Sequence, residues 1–368
     1  MCCFWQSRCS GTGTANLNSG SGPSGATTVC LNWHSSQLAK LTLSGVPWRD
    51  FPLRSAIVVT PTETTLENEN EEPAAIVNTI TVHGSPNRLV LNGDGTRLYV
   101  ASSTLPQGIT VIDTANFSVV RTITNVGSPI WLAMHPTAPR LYASDNSQAS
   151  NTPITVIDTL TDTVSDQIRG FTAINGLALN STGARLYVAD HAASEVVVID
   201  TANHQRIATT PVRYPREIAI APGNARLHLA SDLDGWTSIH LGTNRVVTQT
   251  NTVAGQPTSI AHARFNARVY ITYQDRGEVY IGNTSAAQVS TILDGLLGPY
   301  QVAFHTMLEF AYITETDGDR VSILHTRTQT VTDTLTGFNK PRGIVVTPNG
   351  RTAYVANIGN STVSQVRL

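Results

Sequence analysis

Seven places in this chain carry side chains suited to binding or to proton transfer, and they recur at a near-constant interval. Just after a Pro, or after Ile174 in one case, stand Asn87/Arg88, Ile130/Trp131, Asn175/Gly176, Arg216/Glu217, Thr258/Ser259, Tyr300/Gln301 and Arg342/Gly343. A second set falls in polar stretches: Asp145, Asn146, Asp190, His191, Asp232, Asp234, Trp236, Tyr273, Asp275, Arg276, Glu315 and Asp317. The guanidinium groups of Arg88, Arg216 and Arg342 offer a bidentate fork to an anionic ligand. Trp131, Tyr300, Tyr273 and Trp236 can supply an aromatic wall. Asn175, Gln301 and Glu315 add polar ligand-binding groups. Glu217 and His191 are acid/base partners if the fold converges them, with Arg88 or Arg342 to stabilise developing negative charge. In the plainer reading, the same charges pair off with one another and the aromatics only pack.

Metal chemistry has a thin basis. Glu217 and Asn175 have the oxygen donors that a divalent cation prefers, but two residues are not a coordination shell. Asp317-Gly318-Asp319 lacks the spacing of a calcium loop and reads as a polar turn. His135 and His305 occupy equivalent turn positions, with His262 one place earlier. The four cysteines, Cys2, Cys3, Cys9 and Cys30, all precede residue 31, fit no paired C-x-x-C zinc pattern, and leave the rest of the chain without a disulfide. No Gly-x-Ser-x-Gly elbow, phosphate loop or His-Glu-x-x-His motif is present. Asn-x-Ser/Thr sequons at Asn116, Asn180, Asn283 and Asn360 are expected by chance in so Ser/Thr-rich a chain.

Composition narrows the classes. The 368 residues are 40% hydrophobic and 14% charged, with a net charge of −2. That balance lacks the basic footprint of a nucleic-acid binder. No run reaches the ~18 apolar residues of a membrane-spanning helix, and the first residues show no apolar signal-peptide core.

The elements that must position these residues come from a repeat. An apolar triplet, a turn, Arg-Leu-Tyr-Val, a polar loop, an alternating strand ending in Asp-Thr and a Val-rich run follow one another. The Tyr slot is held by Tyr99, Tyr142, Tyr187, His228, Tyr270, Tyr312 and Tyr354, at gaps of 41 to 45 residues. A Thr slot at Thr114, Thr159, Thr201, Thr243, Thr284 and Thr326 keeps the same period. Each period reads as four short strands, for instance Leu89–Leu91, Arg97–Val100, Ile109–Asp113 and Val119–Ile123. Four strands in about 42 residues select an all-β propeller of antiparallel blades.

Seven periods predict a seven-bladed β-propeller over residues 74–368. The last period supplies three strands (Ile344–Val346, Ala353–Ala356, Thr362–Val366) and stops. The missing fourth strand matches residues 76–82, which precede the first period, so this N-terminal strand is expected to complete the last blade beside Thr362–Val366, with Ile76, Ile80 and Val82 inward. Residues 1–73 form an N-terminal extension. The extension is expected to be flexible or packed irregularly: its Gly/Ser/Thr-rich part reads as flexible, its acidic run Glu67–Glu72 as a solvated linker, and its segment 56–61 echoes 343–348.

Tyr99-Val100-Ala101-Ser102, Tyr187-Val188-Ala189-Asp190 and Tyr354-Val355-Ala356-Asn357 resemble the signature of YVTN-repeat β-propellers. The Gly-Ser-Pro stretches at 84–86 and 127–129 and Val-Ile-Asp-Thr at 111–114 and 156–159 follow the same pattern. Lactonase-like hydrolases and streptogramin lyases are similar in shape. The resemblance implies a binding face around a central channel, built from the loops leading into each first strand and those between the second and third. Repeats four and five depart from the pattern, with His228 in the Tyr slot and Gly242 and Gly282 where Asp is expected. Such departures read as drift or as the place where function is built.

Two functional classes remain open. One is a binding scaffold holding a small molecule, glycan or protein at the channel face. The other is an enzyme (lyase, cyclase or lactone hydrolase) with an acid/base site at the channel mouth. The resemblance adds a tendency towards periplasmic or extracellular location, and a monomer is expected.

Overall fold

The Arg-Leu-Tyr-Val segment shows how these residues build a ring. In the computed structural model, which describes residues 27–32, 38–43, 73–146, 151–223, 225–250, 255–285 and 288–368, it opens the second strand of a blade. Leu98, Leu141, Leu186 and Leu227 are fully buried inside their blades. The preceding Arg clasps a backbone carbonyl of the next blade: Arg140 donates to Thr201 at 3.1 Å, Arg226 to Ser285 at 3.0 Å and Arg268 to Thr326 at 2.9 Å. Tyr99 lies between blades and its hydroxyl donates to Asp162 Oδ1 at 2.9 Å. The motif therefore packs a blade and ties it to its neighbour.

The chain divides into two compact units, Met1–Asn70 and Glu71–Leu368. In the first unit, Thr27–Asn32 and Leu38–Leu43 form an antiparallel hairpin, a regular element within a stretch expected to be irregular. The Gly/Ser-rich segment at 11–25, the acidic run 67–72, the echo at 56–61 and Cys2, Cys3 and Cys9 lie outside the described residues. The second unit is seven four-stranded antiparallel sheets, with a short 3-10 turn at Gln274–Arg276 among its described residues. No described helix is long and apolar enough to cross a membrane.

The first strands of the seven blades are Pro86–Leu91, Pro129–Met134, Ile174–Leu179, Pro215–Ile220, Pro257–His262, Pro299–Phe304 and Pro341–Val346. They neighbour one another in sequence around a central channel, the last contacting the first. Between blades lie apolar clusters such as Leu89, Leu91, Leu98 and Val100 with Tyr354 and Ala356. Radial packing of this kind buries both faces of each sheet and leaves only short edges exposed.

Closure occurs where the repeat count places it. Ala75–Thr81 pairs antiparallel with Thr362–Arg367, with Ile76 opposite Val366 and Ile80 opposite Val363. Val82 N–H donates to Ser361 O at 2.9 Å and the Val82 side chain is buried. Ile76 packs against the core of the last blade and Ile80 against the cluster shared with the first. At ~1.5–3 kcal/mol per buried side chain this strand contributes several kcal/mol, as an upper bound. A chain lacking residues 1–82 is expected to lose its cooperative melting transition or to associate through the exposed edge of Thr362–Arg367. Thermal melting with light scattering checks this, and a monomer with the parent melting temperature would contradict the role given to the strand.

The register corrects three sequence assignments. The residue equivalent to Thr114 and Thr201 in blade four is Leu241, not Thr243: its N–H donates to Ala225 O as that of Thr201 does to Ala184 O. The Asp slot there is His240, opposite Arg226, and in blade five it is Asn283, opposite Arg268, so Gly242 and Gly282 are not its replacements. The first strands are also longer than the apolar triplets suggest. They run back to include the paired residues after each Pro, which places the candidate site on the strands themselves rather than in the loops before them.

Candidate functional site

All seven first strands break register at the same level, just after the leading residue: between Pro86 and Arg88, Pro129 and Leu132, Ile174 and Gly176, Pro215 and Ile218, Pro257 and Ser259, Pro299 and Val302, and Pro341 and Ile344. A bulge kinks the strand and re-aims the side chains beside it. It frees two residues in four blades: Ile130/Trp131, Arg216/Glu217, Tyr300/Gln301 and Arg342/Gly343. It frees one in the other three (Asn87, Asn175 and Thr258), where Arg88, Gly176 and Ser259 resume the pairing. All of these lie in the pairs singled out above.

Five of the candidate side chains meet at the channel centre. Arg88, only 4% exposed, reaches from blade one to blades four and five. Its Nη2 donates to Glu217 Oε2 at 3.2 Å and to the Thr258 carbonyl at 2.7 Å. Its guanidinium carbon lies 4.2 Å from the centroid of the Trp131 ring and 5.2 Å from that of Tyr300. The Arg342 guanidinium stands 4.8 Å from the same Tyr300 ring. Tyr300 donates its hydroxyl proton to Asn87 Oδ1 at 3.0 Å, a second link between non-adjacent blades. Cations over aromatic faces gain ~0.5–2 kcal/mol each, more where water is excluded.

Two glycines let the strands close in at this level. A Cβ on Gly343 would lie 2.6 Å from Asn87 O, and one on Gly176 would lie 2.6 Å from Arg216 O. Each glycine thus abuts one partner of the Arg88–Glu217 pair, from the blade before it. Thr314 fixes the opposite side: its hydroxyl accepts Gln301 N–H at 3.0 Å and donates to Arg342 O at 2.6 Å.

Glu217 and Gln301 share a backbone task. Glu217 Oε2 accepts Ile260 N–H at 3.1 Å, and Gln301 Oε1 accepts Ile344 N–H at 3.0 Å, each in the next blade. Burial raises the Glu217 carboxyl above its ordinary pKa. The Arg88 charge and hydrogen bonds from Ser259, Ile260 N–H and Arg88 offset that only in part.

The cluster is short of negative charge. Arg88 and Arg342 bring two cations to one carboxylate. Arg342 Nε and Arg88 Nε and Nη1 are buried without a hydrogen-bond partner among the described residues. Such atoms are costly unless something answers them.

The remaining candidates are placed elsewhere. Arg216 turns away from its neighbour Glu217 and binds Asp232 through Nε and, at 3.0 Å, through Nη2. His191 Nε2 lies 3.1 Å from the same Asp232, and its ring lies beside Tyr214. Burial alone would raise the Asp232 pKa, but hydrogen bonds from His191 and Arg216 outweigh it and hold the carboxyl below its ordinary range. His191 therefore pairs with Asp232, not with Glu217. Asn175 sits half-buried at the bulge level of blade three and joins none of these contacts.

Tyr273 and Glu315 lie inside their blades, at the end of the second strand. Tyr273 is fully buried against Tyr280, and Trp236, 1% exposed, belongs to the third strand of blade four. Glu315 accepts Leu297 N–H at 2.6 Å, Arg320 Nε–H at 2.9 Å and the Ser322 hydroxyl, with Arg320 Nη2 in ion-pair contact at 2.7 Å. Asp145 and Asp190 hold the same slot and take the same task, accepting Ser128 N–H and Ala173 N–H from the loop leading into their blades. These carboxylates pin loops. Asp319 likewise accepts Lys340 N–H in a turn, and His135 and His305 accept turn N–H groups on Nδ1. Among the described residues, no three or more His, Cys, Asp or Glu side chains group as metal ligands would.

Sequence reasoning leaves Asn87, Thr258, Ser259, Gly176 and Gly343 without roles, although each lies in the bulge pairs. Their position in those pairs is the available signal.

Residues 97–216, from the second strand of blade one to the first strand of blade four, match the family described as "Lactonase, 7-bladed beta-propeller". No curated protein matches the sequence significantly. Among solved structures, hydrazine synthase of Kuenenia stuttgartiensis is similar, with a TM-score of 0.70 and 17% identity over 78% of this chain and 97% of that one. The β-propeller domain of Myceliophteria thermophila Cps50 (Swd1) gives a TM-score of 0.68 and 14% identity over 80% of this chain and all of that one. At such identities these likenesses speak for the fold alone. Repeat, ring and family match agree on the architecture: the described second unit is a seven-bladed β-propeller, and residues 97–216 of it are similar to the lactonase propeller family.

Proposed function

We propose that this protein is a ligand-binding propeller whose channel centre takes up a small, flat, carboxylate-bearing molecule. The observation that carries this reading is the charge imbalance: two guanidinium groups, Arg88 and Arg342, flank Tyr300, and of the two only Arg88 meets a carboxylate, Glu217. An anion there would answer the unpartnered nitrogens, and Trp131 and Tyr300 would cover its apolar part. The reading favours a small molecule over a glycan or protein, because the convergent polar groups sit in the channel and not on a broad face.

An enzymatic role is the second reading. It is favoured by Glu217, whose burial raises its proton affinity as a general acid/base requires. His191 supports this reading less, since it is engaged with Asp232 at 3.1 Å.

Calorimetric titration of the full chain with benzoate tests the binding claim. Arg342→Ala is expected to weaken the affinity ~10–100-fold, the size of a lost charge-assisted hydrogen bond. Undetectable benzoate binding at millimolar concentration, or an unchanged affinity in the variant, would remove the support for an anion site.

A further inference from the structure

We infer that anion binding at the channel centre is coupled to the uptake of one proton by Glu217. The inference rests on the anion-site reading above and deepens it.

Glu217 has one cationic partner, Arg88, held by a single nitrogen, Nη2. The groups facing it can be named blade by blade. Blade one contributes Arg88. Blade five contributes the Ser259 hydroxyl and Ile260 N–H. Blade three contributes Gly176, which has no side chain. On its own strand, the adjacent Arg216 is committed to Asp232. Arg88 therefore stands alone between an ionised Glu217 and an uncompensated buried charge.

A ligand carboxylate would approach the free part of the same guanidinium, Nε and Nη1. Two carboxylates would then share one cation in a site where Arg88 is 4% and the Glu217 side chain 16% exposed. Like charges at such range, away from water, cannot both remain ionised, and one takes a proton. The ligand keeps its charge because Arg342 also faces it. Glu217 is the group that yields, since its other contacts serve the neutral acid as well. Oε2 still accepts Ile260 N–H, and the Ser259 hydroxyl remains a hydrogen-bonding neighbour of the neutral acid. The balance is simple: one hydrogen ion leaves the buffer and forms an O–H bond on Glu217, with no covalent change in the ligand. An anion thus binds as a neutral pair of events, ligand in and proton in.

The variant that isolates this step keeps the local structure. Gln301 already performs in blade six the backbone task of Glu217 in blade four, so Glu217→Gln retains the acceptor and loses only the titration.

The experiment is benzoate titration of the full chain in buffers of different ionisation enthalpy between pH 6 and 8. The wild type is expected to take up close to one proton per benzoate, with affinity rising up to about tenfold per pH unit as pH falls. Glu217→Gln is expected to bind benzoate more tightly, with no proton exchange and no pH dependence. Binding to the wild type without proton uptake, or uptake that persists in Glu217→Gln, overturns the coupling and leaves the anion site standing. Failure of both proteins to bind benzoate overturns the anion site itself.

Discussion

Arg88→Met is expected to cost roughly 3–5 kcal/mol of stability, the usual penalty for leaving one member of a buried ion pair without its partner. Arg88 is 4% exposed and, among the described residues, is the only cation on Glu217. Methionine keeps an apolar stem but removes the guanidinium that lies over Trp131 and Tyr300 and whose charge offsets burial of the carboxylate. Glu217→Gln should cost far less, because Gln301 shows that an amide serves in this slot. The double variant Arg88→Met/Glu217→Gln should recover most of the loss, since no unpaired charge is then buried. Urea unfolding of the four proteins closes the cycle. A single Arg88→Met within about 1 kcal/mol of the parent would mean that the pair is effectively solvated, and the charge argument for the channel centre would fail with it.

The contrast between two glutamates shows where the sequence stops being legible. Glu217 and Glu315 both have the type and slot of site residues. Glu217 faces the channel because it follows a Pro at a first-strand bulge. Glu315 ends a second strand, where Asp145, Asp190 and Asn357 mark a loop-pinning position. Comparison of slots, rather than of residue types, separates them. The ring itself is fully legible, because strand alternation and a constant period constrain each blade locally, and the seam at residues 76–82 follows from counting strands.

The pairing of Arg88 with Glu217 is not legible. Their separation of 129 residues is set by which blades face each other across the channel and by how far each side chain extends. The direction of Arg216 has the same cause. Alternation sends neighbours on a strand opposite ways, but the bulge decides which one faces the axis.

The departures in repeats four and five have a packing explanation. Trp236 in the third strand of blade four donates its Nε1–H to His228 Nδ1 at 2.9 Å, and a Cβ on Gly282 in blade five would collide with the Trp236 ring. The His228 ring lies 5.0 Å from that of His262, on the first strand of blade five. A tyrosine exchanged for histidine, a tryptophan beside it and a glycine opposite form one accommodated set. Trp236 thus belongs to the joint between two blades and not to an aromatic wall.

That joint carries the acid sensitivity of the fold. Burial, then the neighbouring His262 and Arg226 charges, depress the His228 pKa to about 3, and burial depresses that of His262 to about 4. Both rings are neutral when folded and protonate near 6.5 when unfolded. The unfolded chain therefore binds more protons below that pH, so stability is fully present above about pH 6.5 and declines as pH falls towards 4 and 3. The loss is on the order of several kcal/mol, large against a typical domain stability. His135 and His305, also depressed by burial, add in the same direction, while the raised Glu217 opposes it. Carboxylates held low, such as Asp232, begin to matter only near their unfolded value of about 4, so the range from about 6.5 to 4.5 belongs mainly to histidine. The double variant His228→Gln/His262→Gln should flatten the dependence across that range, since the introduced amide oxygen at position 228 can still accept the Trp236 N–H. Urea midpoints at pH 7, 6 and 5 measure it. Equal slopes in parent and variant would show that these imidazoles protonate without opening the joint.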